Sequence, residues 1–283
     1  MIKWIADRVN IISGKCNLAF ACRNLISGQG KTIKAVQIFY CKLKFVFLLF
    51  TFVACCLLNS CRQPLTPADK WLEKMVEAHG GVDALARITT IIYSGRIATR
   101  GDRGTVILVL SRPGKLRTTM KYRKRYEDRI LLENRGWRNF GAGFEEVVGH
   151  SLNAMVFQYN HLNLPMGLID GNYKILYVEE NINGKLFPAL KLTSYNGPPI
   201  TVKIDSETGL IQQVDGRIAV GAQEVVMGVG YGDYREVAGV MLPHRIINYV
   251  NGNAIAESRY ETVSVNAALD KNFFNINYQG TVQ

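Results

Sequence analysis

The spacing of apolar residues after Thr89 predicts a long series of β-strands. Ile91, Tyr93 and Ile97 alternate with polar or small residues, which is the period of a strand that buries one of its two faces. The run from Ile200 to Ile204 repeats this alternation further along the chain. Both runs favour antiparallel strands that have one face on the core and the other in water.

Short turn sequences separate these apolar runs. Both residues of an Asn-Gly pair accept a positive φ, so such a pair between apolar runs is a strong signal for a β-hairpin. Asn-Gly pairs lie at 183–184, 196–197 and 251–252, and further turn sequences lie at 101–104 (GDRG), 134–136 (NRG), 208–209 (TG) and 238–239 (AG). The chain after Thr89 is therefore predicted to run through consecutive hairpins.

Two helices are predicted before the strands. The sequence Thr66-Pro67-Ala68-Asp69 is typical of a helix start, because Thr caps free N–H groups, Pro suits the first position and Asp completes a capping box. Apolar residues follow at helical spacing, namely Trp71, Leu72, Met75 and Val76. Gly80-Gly81 predicts the end of this helix. A second short helix is predicted from Val82 to Ile88.

A third helix is predicted between the strands, from Glu145 to His161. Its apolar residues form one stripe at helical spacing, namely Val148, Leu152, Met155, Val156 and Tyr159. An apolar loop follows at 162–170. The stripe has two interpretations, which are an ordinary core contact and a lid over a lipid-sized cavity, for which the flexible Met155 is suited.

The N-terminal part of the chain has the pattern of an export signal. Lysines precede an apolar core of 14 residues, Phe45–Leu58, which is shorter than the roughly 20 residues that span a bilayer. A basic region before a core of this length is typical of a secretory signal peptide. The sequence Leu58-Asn59-Ser60-Cys61 resembles the lipobox of bacterial lipoproteins, and Phe52-Val53-Ala54-Cys55 is a weaker match. The resemblance implies that Cys61 is lipidated and becomes the N-terminus.

The distribution of cysteines favours the same interpretation. All six cysteines lie at or before position 61, at 16, 22, 41, 55, 56 and 61. An exported protein normally pairs its cysteines, and the chain after Cys61 has none to pair. The alternatives are a cytosolic protein with an apolar N-terminal helix and an uncleaved membrane anchor.

These features predict a division of the chain into three parts. No Met occurs between Met1 and Met75, so we expect translation to start near Val36 or Leu43. Residues 1–60 are then a mis-called extension plus the lipoprotein signal peptide, residues 61–65 a lipidated tether, and residues 66–283 one folded domain.

The charge of the chain depends strongly on this division. The 34 basic and 23 acidic residues give a net charge of +11, but residues 1–60 hold eight of the basic residues and one of the acidic ones. The remaining chain therefore carries about +4 and gives no reason to expect a nucleic-acid partner.

One basic segment remains within the predicted domain. Residues 112–138 hold ten basic and three acidic residues. This segment is either a solvated sheet face or a contact surface for anionic headgroups or an acidic partner. The residues proposed for such a contact are Arg117, Lys121, Arg123, Lys124 and Arg125.

Motifs for catalysis and cofactor binding are incomplete. The sequence SGQGKT at 27–32 resembles a phosphate-binding loop but has Leu25 where the loop requires Gly, and GVGYGD at 228–233 misses the dinucleotide pattern. The four histidines lack metal-ligand spacing. We therefore predict no enzyme activity, no cofactor and no metal. The alternate glycines at 228–232 are interpreted as a bend or a helix approach, with ligand approach as the alternative.

The two ends of the predicted domain resemble the LolA/LolB-like superfamily. The resemblance lies in EAHGGVDALARITTIIYSGRI at 77–97 and in YGDYREVAGVMLPHRIINYVNGNAIAESRYETVSVNAALDKNFF at 231–274. It implies an α+β fold, in which a strongly curved, unclosed antiparallel sheet of about 11 strands forms a half-barrel. Helices pack into the concave face of this sheet. In that superfamily the concavity accepts acyl chains.

Together these observations predict a lipid-anchored protein of the bacterial cell envelope, most simply at the outer membrane facing the periplasm. Its expected ligand is a lipid, a lipoprotein acyl chain or another amphiphile, bound for transfer or sensing. The residues predicted to line the cavity are Ile91, Tyr93, Ile97, Leu152, Met155, Val156, Tyr159, Val202 and Ile204. The alternative is a non-catalytic interaction protein that docks an envelope partner on its basic face.

Overall fold

The computed structural model describes residues 64–171, 173–182, 185–194 and 197–278. Residues Thr66–Gln283 form one compact unit. The helices of the described residues are α1 (Pro67–Ala78), α2 (Gly81–Ala86), α3 (Gly149–Leu162) and α4 (Met166–Ile169). The export signal, the cysteines and Cys61 lie outside the described residues.

The strands form a single sheet. They are β1 (Thr90–Thr99), β2 (Asp102–Ser111), β3 (Lys115–Tyr122), β4 (Tyr126–Leu132), β5 (Arg135–Asn139), β6 (Phe144–Val147), β7 (Tyr173–Ile182), β8 (Lys185–Ser194), β9 (Ile200–Ile204), β10 (Ile211–Val220), β11 (Gln223–Val237), β12 (Val240–Val250) and β13 (Asn253–Val265). Their order is β6-β5-β4-β3-β2-β1-β13-β12-β11-β10-β9-β8-β7, with every neighbouring pair antiparallel. Because β6 and β7 lie at opposite edges, the sheet is unclosed. The described residues thus contain thirteen strands, where about 11 were expected.

The position of α3 shows how strongly the sheet curves. This helix contacts β4 and β5 in one half of the sheet and β10 in the other half. In a flat sheet, β5 and β10 are eight strand positions apart, which is about 38 Å at the usual spacing. A helix is only about 10–12 Å across. The sheet therefore wraps around α3, and the α+β half-barrel with helices in its concave face is confirmed.

The N-terminal helices follow their local sequence signals. The side chain of Thr66 accepts a hydrogen bond from the backbone N of Asp69, and the carboxylate of Asp69 accepts one from the backbone N of Thr66, so the predicted capping box is present. The second helix begins at Gly81, one residue earlier than predicted, and it ends at Ala86, two residues earlier than predicted.

The predicted start of the third helix was wrong. Residues Phe144–Val147 form β6, which pairs with β5, and the helix begins only at Gly149. Val148, which was placed in the apolar stripe, is 76% exposed. Backbone pairing with β5 competes with the helical period at this point, and the ion pair between Arg135 and Glu146 supports the strand.

The turns follow their predicted positions. Asn251 and Gly252 have φ values of 48° and 78°, and this conformation joins β12 to β13. Ala238 and Gly239 have the same left-handed conformation between β11 and β12. The Asn-Gly pair at 183–184 lies outside the described residues.

The convex face of the sheet is covered in part by the C-terminal segment, residues 267–278. Phe273 packs against Ile92 and Val109 in a second apolar cluster, separate from the main core. Another part of this face is less solvated than the alternation predicted, because Lys203 is buried and its Nζ lies 2.7 Å from Oδ2 of Asp215.

Within the described ranges, no helix is long and apolar enough to cross a membrane.

Candidate functional site

The nine residues predicted to line a cavity belong to one apolar cluster between the helices and the concave face. Six of them are buried: Ile91, Tyr93, Ile97, Met155, Val202 and Ile204. The other three are partly buried and pack against the same cluster: Leu152, Val156 and Tyr159. The sheet and α3 therefore bring the predicted residues together. That they contact a ligand stays a prediction.

Two glycines on facing strands make room for α3. A Cβ atom at Gly216 on β10 would lie 2.6 Å from the ring of Phe157. A Cβ atom at Gly136 on β5 would lie 3.0 Å from Sδ of Met155 and 3.1 Å from Leu152. The distance at Gly216 is too short for a methyl group, and those at Gly136 would require the neighbouring side chains to shift slightly, so α3 packs closely where these strands carry no side chain.

The polar attachments of α3 lie in its second half. The hydroxyl of Tyr159 accepts a hydrogen bond of 2.8 Å from the backbone N of Gly114. His161 Nδ1 lies 2.8 Å from the hydroxyl of Tyr231, which donates to the carbonyl oxygen of His161. A His161 tautomer with its proton on Nδ1 satisfies both contacts. The C-terminal half of α3 is thus fixed to β11 and to the β2–β3 turn.

The first half of α3 is held by apolar contacts. Its N-cap residue, Val148, makes no side-chain hydrogen bond to the helix. Leu152 and Met155 pack against the core through carbon and sulfur atoms. The start of α3 therefore has no side-chain cap, whereas its end is held by the hydrogen bonds of Tyr159 and His161.

Polar groups near the end of α3 are incompletely satisfied. The side-chain N of Asn160 and the side-chain O of Asn163 are buried and have no hydrogen-bond partner among the described residues. An unsatisfied buried polar group costs about 1–3 kcal/mol.

Arg112 connects the short helices to the sheet. Its guanidinium donates to the carbonyl oxygen of Ile88 at 2.7 Å and to both carboxylate oxygens of Asp170 at 2.6 Å. It also reaches the carbonyl oxygen of Met166 at 3.4 Å. Arg112 therefore fixes α2 and α4 against β2, and it is not available to an external partner.

A small cavity lies between the ends of α1 and α3 and β11. Its volume is about 10 Å³, and its lining includes His79, His161, Tyr231 and Tyr234. This volume is close to that of a single water molecule. Nδ1 of His79 donates to the carbonyl oxygen of Met75 at 2.8 Å, whereas its Nε2 has no partner among the described residues.

Burial controls the ionisation of this aromatic cluster. It lowers the pKa of His79 to about 4 and the pKa of His161 to about 3, so both rings are neutral near pH 7. Burial also raises the pKa of Tyr260 to about 12 and the pKa of Tyr231 well above its ordinary value. The core therefore carries no charge from these side chains at neutral pH, which suits an apolar ligand. These histidines and tyrosines are distant in sequence, and no motif indicated their contact.

The basic segment is less uniform than its sequence suggested. Arg117 does not belong to an exposed surface, because its side chain is 8% exposed and its guanidinium is paired with Asp128. Arg129 and Arg138 both contact Glu127. Burial alone would raise the pKa of Glu127, but the hydrogen bonds and charges of these two arginines outweigh burial and lower the pKa.

The other four predicted contact residues are exposed. Lys121, Arg123, Lys124 and Arg125 lie at the hairpin between β3 and β4. The Cζ atom of Arg125 lies 4.2 Å from the ring centroid of Tyr122. These four side chains are therefore accessible to solvent, and their contact with an anionic partner stays a prediction.

The alternate glycines of β11 lie beside side chains of the two neighbouring strands. A Cβ atom at Gly230 would lie 3.2 Å from the ring of Tyr249 on β12, and one at Gly228 would lie 2.8 Å from Oδ1 of Asp215 on β10 and 3.3 Å from Cβ of Tyr249. Among the described neighbours of these glycines the structure therefore places strand side chains and no helix, and the predicted bend stays a prediction.

Side chains that could bind a metal are not grouped in the described ranges, where no set of three His, Cys, Asp or Glu residues lies close enough to hold an ion.

Comparisons with known proteins agree with the architecture. No family model matches the sequence. No curated protein matches it either. A domain from Vibrio parahaemolyticus, described as an outer membrane lipoprotein-sorting protein domain, aligns with a TM-score of 0.52 and 13% identity, covering 74% of this chain and 98% of that chain. A LolA superfamily protein from Nitrosomonas europaea aligns with a TM-score of 0.48 and 14% identity, covering 74% of this chain and 98% of that chain.

The chain therefore has the fold of the lipoprotein-sorting protein domain from Vibrio parahaemolyticus. At this level of identity, the likeness establishes the architecture alone.

Proposed function

We propose that this chain is a non-catalytic cell-envelope protein that binds an amphiphile between α3 and the concave face of its sheet. The ligand class is a lipid, a lipoprotein acyl chain or a similar molecule, and binding serves transfer or sensing. The observation that carries the proposal is the unequal attachment of α3, which is polar in its second half and apolar in its first half.

The first half of α3 gives the ligand a route to the core. If this half moves away from β4 and β5, the packing of Leu152 and Met155 beside Gly136 is lost first. An acyl chain can replace such contacts because they involve no hydrogen bonds. Tyr159 and His161 keep the second half of the helix in place. The helix thus acts as a hinged cover, filling the concavity until a ligand takes its place.

The residues beneath the cover suit an apolar chain. Ile91, Tyr93, Val202 and Ile204 are buried in the main cluster. Met155 adds an adaptable side chain that can repack against different apolar ligands. We propose that these residues, with Ile97, Val156 and Tyr159, contact the acyl portion of the ligand.

The proposal includes attachment to the membrane through Cys61. Several acyl chains together hold a protein stably, whereas one chain binds only marginally. An anchored protein would take or test its ligand at one membrane. The residue after Cys61 is Arg62 and not the Asp that signals retention at the inner membrane in enteric bacteria, which favours the outer membrane. Mass analysis of the processed protein tests this part, since an unmodified Cys61 contradicts it.

The interior site is tested with an amphiphile whose fluorescence reports its surroundings. Residues 62–283 are titrated with an NBD-labelled fatty acid, and we expect saturable binding with a blue-shifted emission. The variant Met155→Asp/Val156→Asp places two charges on the buried side of α3, so it should abolish binding.

The matched control is His150→Asp/Asn153→Asp, which adds two charges to exposed positions of the same helix. This control should bind like the original chain, and circular dichroism checks that each variant is folded. Equal loss in both variants, or no saturable binding by the original chain, contradicts the proposal.

A second function is favoured by one observation. The exposed basic side chains between β3 and β4 have no carboxylate within ion-pair distance among the described residues. An interaction protein that docks an acidic envelope partner would use such a surface without any interior ligand. Absence of interior binding together with capture of an acidic partner would favour this alternative.

A further inference from the structure

Three hairpin turns of the sheet lie side by side at the same end. Strands β1 to β6 are consecutive neighbours, so the turns joining β1 to β2, β3 to β4 and β5 to β6 share one end. The backbone N of Arg123 in the second turn donates to the carbonyl oxygen of Arg103 beside the first. Six strands at the usual spacing extend about 24 Å along the sheet.

Unpaired positive charges are concentrated on the first two of these turns. Arg100 and Arg103 flank the first turn, and four basic side chains lie at the second. All six are exposed, and no carboxylate of the described residues lies within ion-pair distance of them: Arg100, Arg103, Lys121, Arg123, Lys124 and Arg125. The carboxylates near these turns include Asp102, which accepts from the backbone N of Arg103, the exposed Glu145 on β6, and the buried Glu127, which is paired with Arg129 and Arg138.

The third turn adds an exposed aromatic side chain. Phe140 is 61% exposed, and Cζ of Arg138 lies 5.0 Å from its ring centroid. Gly141 and Gly143 continue the turn with φ values of 109° and 120°, and no atom lies within 4 Å of a Cβ built on either glycine. The ring therefore projects from an open turn. Further along this end, Ile255 is also exposed.

The arrangement of these groups favours a membrane over a single anion. The six basic side chains are spread over two turns, and none lies in a buried pocket. Anionic headgroups form a broad field that attracts basic residues placed near it. An exposed aromatic ring beside basic residues is typical of segments that lie at the headgroup boundary. A protein partner with one acidic peptide would not require the exposed Phe140.

We propose that this surface, the hairpin rim, docks on a bilayer containing anionic phospholipid. The hairpin rim consists of Arg100, Arg103, Lys121, Arg123, Lys124, Arg125 and Phe140. Its basic side chains lie at the phosphate groups, and the ring of Phe140 enters the headgroup boundary. This docking does not depend on an interior ligand, since the rim and α3 use different residues.

The test is hydrogen exchange of the full chain bound to lipid nanodiscs of two compositions. One set contains phosphatidylcholine alone, and the other contains phosphatidylcholine with phosphatidylglycerol. We expect slower amide exchange at residues 100–103, 122–126 and 140–143 in the phosphatidylglycerol discs only. Raising the salt to 1 M should remove this difference, because the Debye length then falls to about 3 Å.

Two charge-reversal variants make the result specific. Arg123→Glu/Lys124→Glu should lose the protection of all three turns, whereas Lys70→Glu/Lys191→Glu, which reverses two exposed charges elsewhere, should keep it. Equal exchange in both lipids overturns the proposal. Equal loss in both variants also overturns it, and so does protection that appears only after an acidic envelope protein is added. A failure of interior binding would leave these outcomes unchanged.

Discussion

Arg117 on β3 and Asp128 on β4 form a buried ion pair beneath the C-terminal segment, with 2.7 Å between Nη2 and Oδ2. The arginine also donates to the carbonyl oxygen of Phe273 at 2.6 Å and lies against the rings of Phe273 and Tyr278. Asp128 accepts a further hydrogen bond from the hydroxyl of Thr119. This pair fixes the last described residues to the convex face of the sheet.

Removing one member of this pair should be costly. Asp128→Ala leaves the arginine buried without its partner, and breaking a buried pair in this way costs about 3–5 kcal/mol. Urea unfolding measures the change in the free energy of unfolding. The double variant Arg117→Met/Asp128→Leu should recover much of the loss, because neither charge then remains buried. If both variants are equally unstable, the ion pair is not the cause.

Filling the space beneath α3 should destabilise the fold. A Cβ atom at Gly216 meets the ring of Phe157 at 2.6 Å, and overpacking of this kind costs about 1–3 kcal/mol. Gly216→Ala should therefore lower the midpoint of urea unfolding, and Phe157→Leu in the same chain should restore part of it. Gly232→Ala is the control, since its nearest neighbour lies 3.9 Å away. Similar losses for the two alanine variants would contradict this contact.

Acid should destabilise the protein through His79 and His161. Their pKa values in the folded chain, about 4 and about 3, lie below the ordinary value of 6.5. Between pH 6.5 and about 4 the unfolded chain therefore binds more protons than the folded chain, so the free energy of unfolding falls as the pH is lowered. His161→Phe should flatten this dependence when unfolding is measured from pH 7 to pH 4. An unchanged slope would show that other groups control it.

The hinge proposed for α3 predicts that hydrogen exchange can become faster in this helix without becoming faster in the sheet. Tyr159→Phe removes the acceptor of the Gly114 backbone N, and a lost hydrogen bond of this kind costs about 1–3 kcal/mol. Amides of α3 should then exchange faster, while those of the central strand β1 stay unchanged. Equal acceleration in α3 and β1 would indicate a global loss of stability and no separate opening of the helix.

Features set by neighbouring residues could be predicted from the sequence. The capping box of Thr66 and Asp69 and the turn at Asn251-Gly252 depend on a few adjacent residues, and both are present. The interior residues on β1 and β9 could be predicted as well, because alternation assigns each strand residue to one face. The nine predicted residues consequently fall in one cluster.

Features set by distant residues could not be predicted in this way. Arg117 appeared to be one more surface charge, because its partners are Asp128 on the next strand and the carbonyl of Phe273, which is 156 residues away. The contact of His161 with Tyr231 spans 70 residues and leaves no local pattern. The helical period of Glu145–Val148 was misleading because the pairing of β6 with β5 is also a distant contact.

The proposed amphiphile site beneath α3 is tested most directly by native mass spectrometry of residues 62–283. The protein is purified without detergent, and any molecule that accompanies it is extracted with organic solvent. We predict a bound phospholipid, fatty acid or acylated peptide in a one-to-one complex. The complex should disappear in Met155→Asp/Val156→Asp and remain in His150→Asp/Asn153→Asp. A spectrum showing only the mass of the bare chain, with no uptake of added phospholipid or fatty acid, would contradict an amphiphile site beneath α3.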